Sequence, residues 1–336
     1  MIEWVTRWVD RRTDLRLRTD RAGNLLLTIK GRKRRAPVIA AAHMDHPGWV
    51  VEEVDGKLVR ARFMGGVLPA YFDSASVVFF ASSGAEIRGV VESYEDKLAS
   101  IRMTARGVVV GDIGRWWFDK RGLGVKHDIL RAPACDDLAG VAASLAALDK
   151  ARKKPHLNHF GVLLTRGEEE GLLGAIAACE LGTVPAGSRL LSIETSRSFP
   201  DSPIGGGPVV RVGDRSSIFD AQLSNQLTDA VRAAGIAHQR KLMAGGTCEA
   251  TAFAAYGHSA TGLCLPLGNY HNMVDIDGVA AGTSGGVLAP EEISLADFDG
   301  LVALMLVAAS DIDDNSRALR DRLAASFSER KDLLGL

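Results

Sequence analysis

The pattern of apolar residues changes near residue 132, and that change limits the folds open to this chain more than any other feature. From about residue 48 to 131 the sequence reads as short strands punctuated by glycine: WVVEEV, KLVRARF, SVVFF, EIRGVVES and ASIRMTA. No helical period appears there, so the stretch is expected to be all-β. After 132 strands alternate with helices. DDLAGVAASLAALDKA (136–151) has apolar residues at 138, 141, 142, 145 and 148, the spacing of one helix face. FGVLLT (160–165) follows as a strand, EEGLLGAIAACEL (169–181) as a helix and RLLSIE (189–194) as a strand. Residues 216–235 read as a helix stopped by Gly235, SATGLCL (259–265) as a strand, and 294–312 as a helix with Ser294 at its N-cap.

Alternation of this kind implies βαβ units. The expected fold class is therefore α/β: a mixed, mostly parallel sheet covered by helices and interrupted by an all-β domain. The expected division is an α/β domain of residues 1–64 and 132–336, with a barrel-like β domain inserted at 65–131. At the start, Trp4, Val5, Trp8 and Val9 predict an amphipathic helix within residues 2–18. LLLTI (25–29) and PVIAAA (37–42) are read as strands, and the basic run GRKRR (31–35) between them as a solvated hairpin turn.

Charge removes several function classes. Lys+Arg 40 against Asp+Glu 41 gives a formal net charge of −1, which leaves no bulk electrostatic case for nucleic acid or a membrane surface. The longest apolar stretch, LVALMLVAAS (301–310), is half of the roughly 20 residues needed to span a bilayer. The opening MIEWVTRWVDRRTD has no apolar core of a signal peptide, and the four cysteines, Cys135, Cys179, Cys248 and Cys264, show no CxxC spacing. Buried, reduced thiols in a cytoplasmic protein are the expectation.

Five places combine metal-ligand residue types with strand ends or helix starts. In AHMDHPG (42–48), His43 and Asp45 sit two apart on an extended chain and face the same side, so Asp45 can orient the His43 imidazole. CDDLAG (135–140) sets Asp136 and Asp137 before a helix. N-capping and the helix dipole explain one carboxylate well and two only in part. TRGEEEGLLGA (165–175) ends a strand in three glutamates, where α/β sheets place ligand sites. LSIETS (191–196) puts Glu194 at the end of an apolar strand, a costly position for an unpaired carboxylate. LGNYHNMVD (267–275) holds His271 in a loop after the last strand. Each signal alone is structural in most proteins. Together they gather two imidazoles and several carboxylates at one edge of one sheet. That donor set suits zinc or a related divalent ion, and its carboxylate count fits two metals sharing a ligand, an arrangement used to activate water.

The ordered set AHMD, an acidic pair before a helix, EE-x-G-LxGA, an acid ending a strand and a late Tyr-His resembles the tetrahedral (TET) and glutamyl aminopeptidase family of co-catalytic di-zinc metallopeptidases. AGNLLLTIKG, GGGPVVRVGD (205–214), GGTCEATAF (245–253) and LPLGNYHNM extend the resemblance over about residues 20–312. It implies a fold with a β insertion, a metal-dependent aminopeptidase activity on peptides, and homo-oligomers such as dimers or tetrahedral dodecamers. It implies two divalent ions, zinc first and cobalt or manganese as alternatives. Carried over residue by residue, His43 and Glu194 bind one metal, Glu169 and His271 the other, and Asp136 bridges both; its peptide bond to Asp137 can be cis in such sites. Glu168 is the implied general base and Asp45 the orienting acid.

The chain also departs from that family. Glu194 stands where Asp is usual, Leu138 where Arg is usual, His46-Pro47 where Glu-Ile is usual, and Cys248-Glu249 where Asp-Ala is usual. Glu194 motivates a second reading, a di-zinc deacylase or carboxypeptidase-type amidohydrolase; a non-catalytic scaffold is the third. Glu170 is read as solvated. His127, His156, His159, His238 and His258 match no motif and are read as structural, while His46 is kept open because it flanks the expected site.

Overall fold

The computed structural model describes residues 1–31, 35–312 and 318–334. Its centre is an eight-stranded sheet. In spatial order the strands are Leu15–Thr19, Leu25–Ile29, Phe160–Thr165, Val38–His43, Arg189–Arg197, Ser259–Leu267, Val209–Asp214 and Gln239–Met243. The four middle strands, from Phe160–Thr165 to Ser259–Leu267, are mutually parallel, while the pairings at either flank bring in antiparallel partners. Val38–His43 and Phe160–Thr165 are buried at every position, as strands covered on both faces must be, and this is why both read as unbroken apolar runs.

Helices Leu138–Ala151, Ala221–Ala233 and Leu295–Asp311 pack one face around Leu145, Leu148, Leu227 and Leu304. Leu173–Glu180 and Glu249–Ala255 cover the other around Ala175, Ala178, Ala250 and Phe253. This α/β architecture with helix-covered mixed sheet is the expected class. Ser294 caps its helix, its hydroxyl accepting the Asp297 N–H at 3.1 Å.

Several boundaries differ from expectation. The first helix spans only Ile2–Asp10. Residues 15–19 (LRLRT) are instead a strand, because a Leu/Arg alternation of period two can pair with Leu25–Ile29 and bury Leu15. The helix expected from residue 169 begins at Leu173, since Gly171 (φ +101°) and Leu172 (φ +62°) hold the preceding glutamates in a turn. The helix expected from residue 216 begins at Ala221, capped by Asp220, whose carboxylate accepts the Leu223 N–H. The strands flanking the basic run are not a hairpin, for Phe160–Thr165 lies between them; Arg32, Lys33 and Arg34 themselves lie outside the described residues.

The β unit is a closed six-stranded barrel of Gly48–Asp55, Leu58–Met64, Leu98–Met103, Glu86–Glu95, Ser76–Phe80 and Ile113–Trp116. Two of its strands therefore come from the stretch before residue 65. Trp49, Phe63, Phe72 and Trp116 fill it, with the Trp49 and Phe63 rings edge to face at 4.8 Å. The chain returns to the α/β core through a small sheet of Gly124–Lys126, Ile129–Ala132 and Glu291–Ser294. Among the described residues, no helix is long and apolar enough to cross a membrane.

Candidate metal centre

His43 is the last residue of its strand and lies level with Thr165 in the neighbouring strand; Ser192 pairs with Ala41, so Glu194, two residues on, reaches the same height. Parallel strands thus deliver His43, the 168–170 loop and Glu194 to one carboxyl-terminal edge. Asp136 arrives from the turn before helix Leu138–Ala151, and His271 from the loop after Ser259–Leu267. Its backbone adopts φ +54° and turns the imidazole back over the edge.

All six side chains meet. His43 Nε2 lies 3.4 Å from Asp136 Oδ1, 3.7 Å from Glu194 Oε2 and 4.0 Å from Glu168 Oε2. His271 Nε2 lies 3.5 Å from Asp136 Oδ2 and 3.2 Å from Glu169 Oε1. The two Asp136 oxygens therefore face different imidazoles. Donor atoms of His43, Asp136 and Glu194 lie within 4.8 Å of one another, as do those of Asp136, Glu169 and His271 and those of His43, Glu168 and Glu169.

The electrostatics explain what such a cluster needs. Burial works against charge on both His43 and His271, yet the surrounding carboxylates raise each imidazole pKa well above its ordinary value. Burial also raises Asp136, but the two histidines more than offset it and hold that carboxyl below the usual range. Burial, with Glu194 and Glu169 nearby, pushes Glu168 well up. Asp136 Oδ1 and Glu194 Oε1 are buried with no hydrogen-bond partner. Orphaned carboxylate oxygens beside imidazole nitrogens are the chemistry of a cation site, so the residues present fit divalent ions.

Surrounding groups hold the donors in place. The Asp45 carboxylate accepts the N–H groups of Glu168 (3.3 Å) and Glu169 (3.2 Å), which presents both glutamates to the site. His43 Nδ1 lies 3.1 Å from the Asp45 carbonyl oxygen and 3.8 Å from its carboxylate, so Asp45 meets the imidazole first through its backbone. His271 Nδ1 faces the Gly66 carbonyl at 2.7 Å, a link from barrel to metal centre that fixes the imidazole's orientation. The Asp136–Asp137 peptide is cis, and Asp137 turns away from the cluster to accept the Thr195 hydroxyl at 2.8 Å. Gly140 makes room for it: a Cβ there would lie 2.3 Å from Asp137 Oδ1.

Sequence reasoning missed Glu291. It is fully buried, accepts the N–H of Cys135 (2.6 Å), Asp136 (2.9 Å) and His271 (3.0 Å), and so ties two donor-bearing loops to one carboxylate. Burial raises its pKa to about 7. The available signal was strand alternation in EEIS, which turns Glu291 inward and Glu292 outward to Arg131. His46 proves to belong with it, Nδ1 facing the Asp136 carbonyl (2.5 Å) and Nε2 the Asn272 side-chain oxygen (3.2 Å). Glu170 is not simply solvated: it accepts the Gly65 N–H at 2.5 Å and meets Lys97 at 3.3 Å, joining its loop to the barrel. All four cysteines are free, but Cys179 is only partly buried. Burial raises the Cys135 thiol far above neutrality, so it is no nucleophile.

The site opens into a cavity of about 660 Å³ that also reaches Phe199, Arg211, Arg215 and Met243. A parallel-sheet edge carrying two imidazoles, one carboxylate that faces both of them and three further carboxylates defines the class: a metallopeptidase-like core with the donors for divalent cations. The comparisons narrow it. Residues 23–105 and 99–283 match the M42 glutamyl aminopeptidase family, and the chain belongs to that family. A provisionally named aminopeptidase of Acetivibrio thermocellus is 25% identical over 284 residues, 77% of this chain and 82% of that one. A TET aminopeptidase from the marine sediment archaeon Thaumarchaeota archaeon shares the fold with a TM-score of 0.74 at 20% identity, covering 90% of this chain and 88% of that one. So does the TET1 peptidase of Pyrococcus horikoshii, described as able to assemble into a tetrahedron or a large octahedral shell (TM-score 0.73, 20% identity, 92% and 94% covered).

Proposed function

We propose that this metal-dependent aminopeptidase uses Glu168 as its general base, with His43 and Glu194 holding one divalent ion, Glu169 and His271 the other, and Asp136 both. The observation that carries the reading is the Asp136 carboxylate, whose two oxygens face two different imidazoles at 3.4 and 3.5 Å. Two divalent cations bound there supply Lewis acidity toward the scissile carbonyl and toward a water. Zinc best suits the mixed nitrogen and oxygen donors, with cobalt or manganese as alternatives.

Glu168 does the proton work. Its Oε2 stands 4.0 Å from His43 Nε2 at the rim of the donor set, and Asp45 anchors its backbone. It takes the proton as the water oxygen attacks the carbonyl carbon, then delivers it to the departing amine nitrogen as the C–N bond breaks. Burial and then the neighbouring acids raise its proton affinity, and cations bound beside it would oppose that push and favour the ionised form before attack. The peptide substrate enters through the cavity bordered by Val67 and Leu68 of the barrel side and Met243 of the core. Free thiols suit a cytoplasmic protein. Assembly into a homo-oligomer, as described for the Pyrococcus horikoshii relative, completes the proposal and is testable by sedimentation.

The test of the base is Glu168→Gln. Turnover of a free-amine peptide should fall by about 10²–10⁴-fold with bound metal unchanged. A near-normal kcat would remove Glu168 from that role. Removing metal with a chelator should abolish activity, and zinc, cobalt or manganese should restore it. Activity confined to acylated substrates would support the deacylase reading motivated by Glu194.

A further inference from the structure

One hydroxyl in the cavity at the metal centre has no partner in the protein. Tyr270 precedes His271 and lines the same cavity as His43, Glu168 and Glu194. Its ring lies on the His271 imidazole, with centroids 3.8 Å apart and planes tilted by 23°. The ring also packs against the main apolar core and is partly buried. A tyrosine so placed ordinarily gives its hydroxyl a partner. Tyr71 donates to the Val274 carbonyl at 2.5 Å, and Tyr256 to Glu180 at 2.7 Å. The Tyr270 hydroxyl makes no hydrogen bond among the described residues, yet it is not among the polar atoms sealed in without a partner. It therefore opens onto the cavity that the ring lines.

The loop holds that ring in place. Asn269, His271 and Asn272 have φ of +53°, +54° and +67°, a conformation that residues other than glycine seldom adopt. Such strain persists only where the surroundings over-determine it. Here Asn269 Nδ2 donates to the Pro290 carbonyl at 2.8 Å, and the His271 N–H to Glu291 at 3.0 Å. Asn272 Nδ2 reaches the carbonyls of Pro133 and Ala289 at 3.1 and 3.2 Å. Tyr270 sits between these anchors, against an imidazole that Gly66 fixes in turn. Burial and then four carboxylates, Asp136, Glu169, Glu168 and Glu194 in that order, push the phenol pKa well above its ordinary value. Those are the acids of the centre, so the hydroxyl lies beside them. A phenol keeps its proton at neutral pH without any such push, so this group is a donor whatever the centre holds.

We propose that Tyr270 is a further catalytic residue, whose hydroxyl donates a hydrogen bond to the oxygen of the scissile carbonyl as that oxygen becomes an anion. The inference rests on the aminopeptidase reading of the site. The peptide's amine end is a donor and suits the carboxylates; its carbonyl oxygen is an acceptor and suits the hydroxyl. As the water oxygen bonds to the carbonyl carbon, the C=O π pair moves onto the carbonyl oxygen and Glu168 takes the water proton. Tyr270 keeps its own proton throughout and shares it with the oxyanion. When the C=O bond re-forms, the C–N pair leaves with the amine, which receives the proton from Glu168. The bond strengthens only as charge develops, and a ring already held in place needs no rearrangement at that moment.

Tyr270→Phe keeps the ring and its stacking on His271 and removes only the hydroxyl. In the metal-loaded protein it should lower kcat on a free-amine dipeptide amide by about 10²–10³-fold, with KM within about threefold of wild type. Metal content and the unfolding midpoint should not change. A phosphinic dipeptide, which mimics the tetrahedral species, should bind the variant more weakly by a comparable factor, while the free amino-acid product binds both proteins equally. A kcat within about threefold of wild type, a loss confined to KM, or an unchanged affinity for the phosphinic dipeptide overturns the proposal. So does a loss of metal or of stability large enough to account for the lost turnover, which would make Tyr270 structural. If the wild type cleaves no free-amine substrate, the aminopeptidase reading fails. The role of Tyr270 is then decided by calorimetry with the phosphinic dipeptide and the amino acid: wild type binding the two alike, or Tyr270→Phe binding the phosphinic dipeptide as wild type does, overturns it.

Discussion

Glu291→Gln tests whether the metal centre depends on a carboxylate that is not itself one of the donors. Glu291 accepts three backbone N–H groups, from Cys135 and Asp136 on one oxygen and His271 on the other. Glutamine occupies the same volume but has one oxygen. In its best orientation that oxygen faces Cys135 and Asp136, and the amide NH₂ meets the His271 N–H at 3.0 Å, donor against donor. Leaving one buried N–H unpaired costs about 1–3 kcal/mol, and loss of charge assistance in the other two bonds adds about 1 kcal/mol. The expected destabilisation is about 2–4 kcal/mol. Because the freed group is the backbone of His271, a metal held by that residue, as proposed, should also bind roughly 10–100-fold more weakly. Urea unfolding of the metal-free protein and metal titration against a competing chelator measure the two effects separately. Glu292→Gln is the control: it faces outward to Arg131, partly exposed, and should cost under about 1 kcal/mol with metal affinity unchanged. An affinity within twofold of wild type and an unmoved unfolding midpoint for Glu291→Gln would refute the reasoning.

Three further outcomes are expected. Gly140→Ala forces a methyl within 2.3–2.4 Å of both Asp137 oxygens and must push that carboxylate off Thr195; a loss of about 2–4 kcal/mol with weakened metal binding should follow, measured by unfolding and metal titration. Asp149 is desolvated in part, but Lys153, Arg12 and Arg152 hold its carboxyl well below the usual range. Its contribution is therefore fully present above about pH 4 and is lost as pH falls below that. Asp149→Asn should cost about 1–2 kcal/mol at pH 7, and its gap from wild type should shrink at pH 3; an equal gap at both pH values contradicts the ion-pair account. Trp49→Ala empties the middle of the barrel's aromatic cluster, where Trp49 meets Phe63, Phe72 and Trp116 at 4.8, 5.6 and 5.4 Å, and should cost about 3–5 kcal/mol. Since Gly66 orients His271 from the barrel side, metal affinity should fall with it; intact affinity would show that the barrel does not support the centre.

Much of the fold was legible because its signals are local. Buried parallel strands such as Val38–His43 read as apolar runs, and helix Leu138–Ala151 shows its period in any window. The misreadings came where a local pattern depends on a distant partner. LRLRT becomes a strand only because Leu25–Ile29 lies beside it, and the basic run lost its hairpin because Phe160–Thr165, over a hundred residues away, inserts between the flanking strands. Glu170 reads as solvated from the sequence because its partners, Gly65 and Lys97, lie 105 and 73 residues away along the chain, on the barrel side.

By itself, the sequence determined which chemistry was possible. Imidazoles and carboxylates at strand ends and helix starts can be counted without coordinates, because strand period and helix capping are properties of a few consecutive residues. Tertiary structure alone decided which atoms share a centre. Only the parallel register sets Glu194 level with His43, and only chain reversal through the barrel and the small three-stranded sheet brings Glu291 under Asp136 and His271. Arg211 shows the division most plainly. In the sequence it is one of forty basic residues; in the fold it is a buried charge lining the cavity beside the candidate metal donors, its Nε without a hydrogen-bond partner, because burial and unsatisfied hydrogen bonds are properties of packed neighbours.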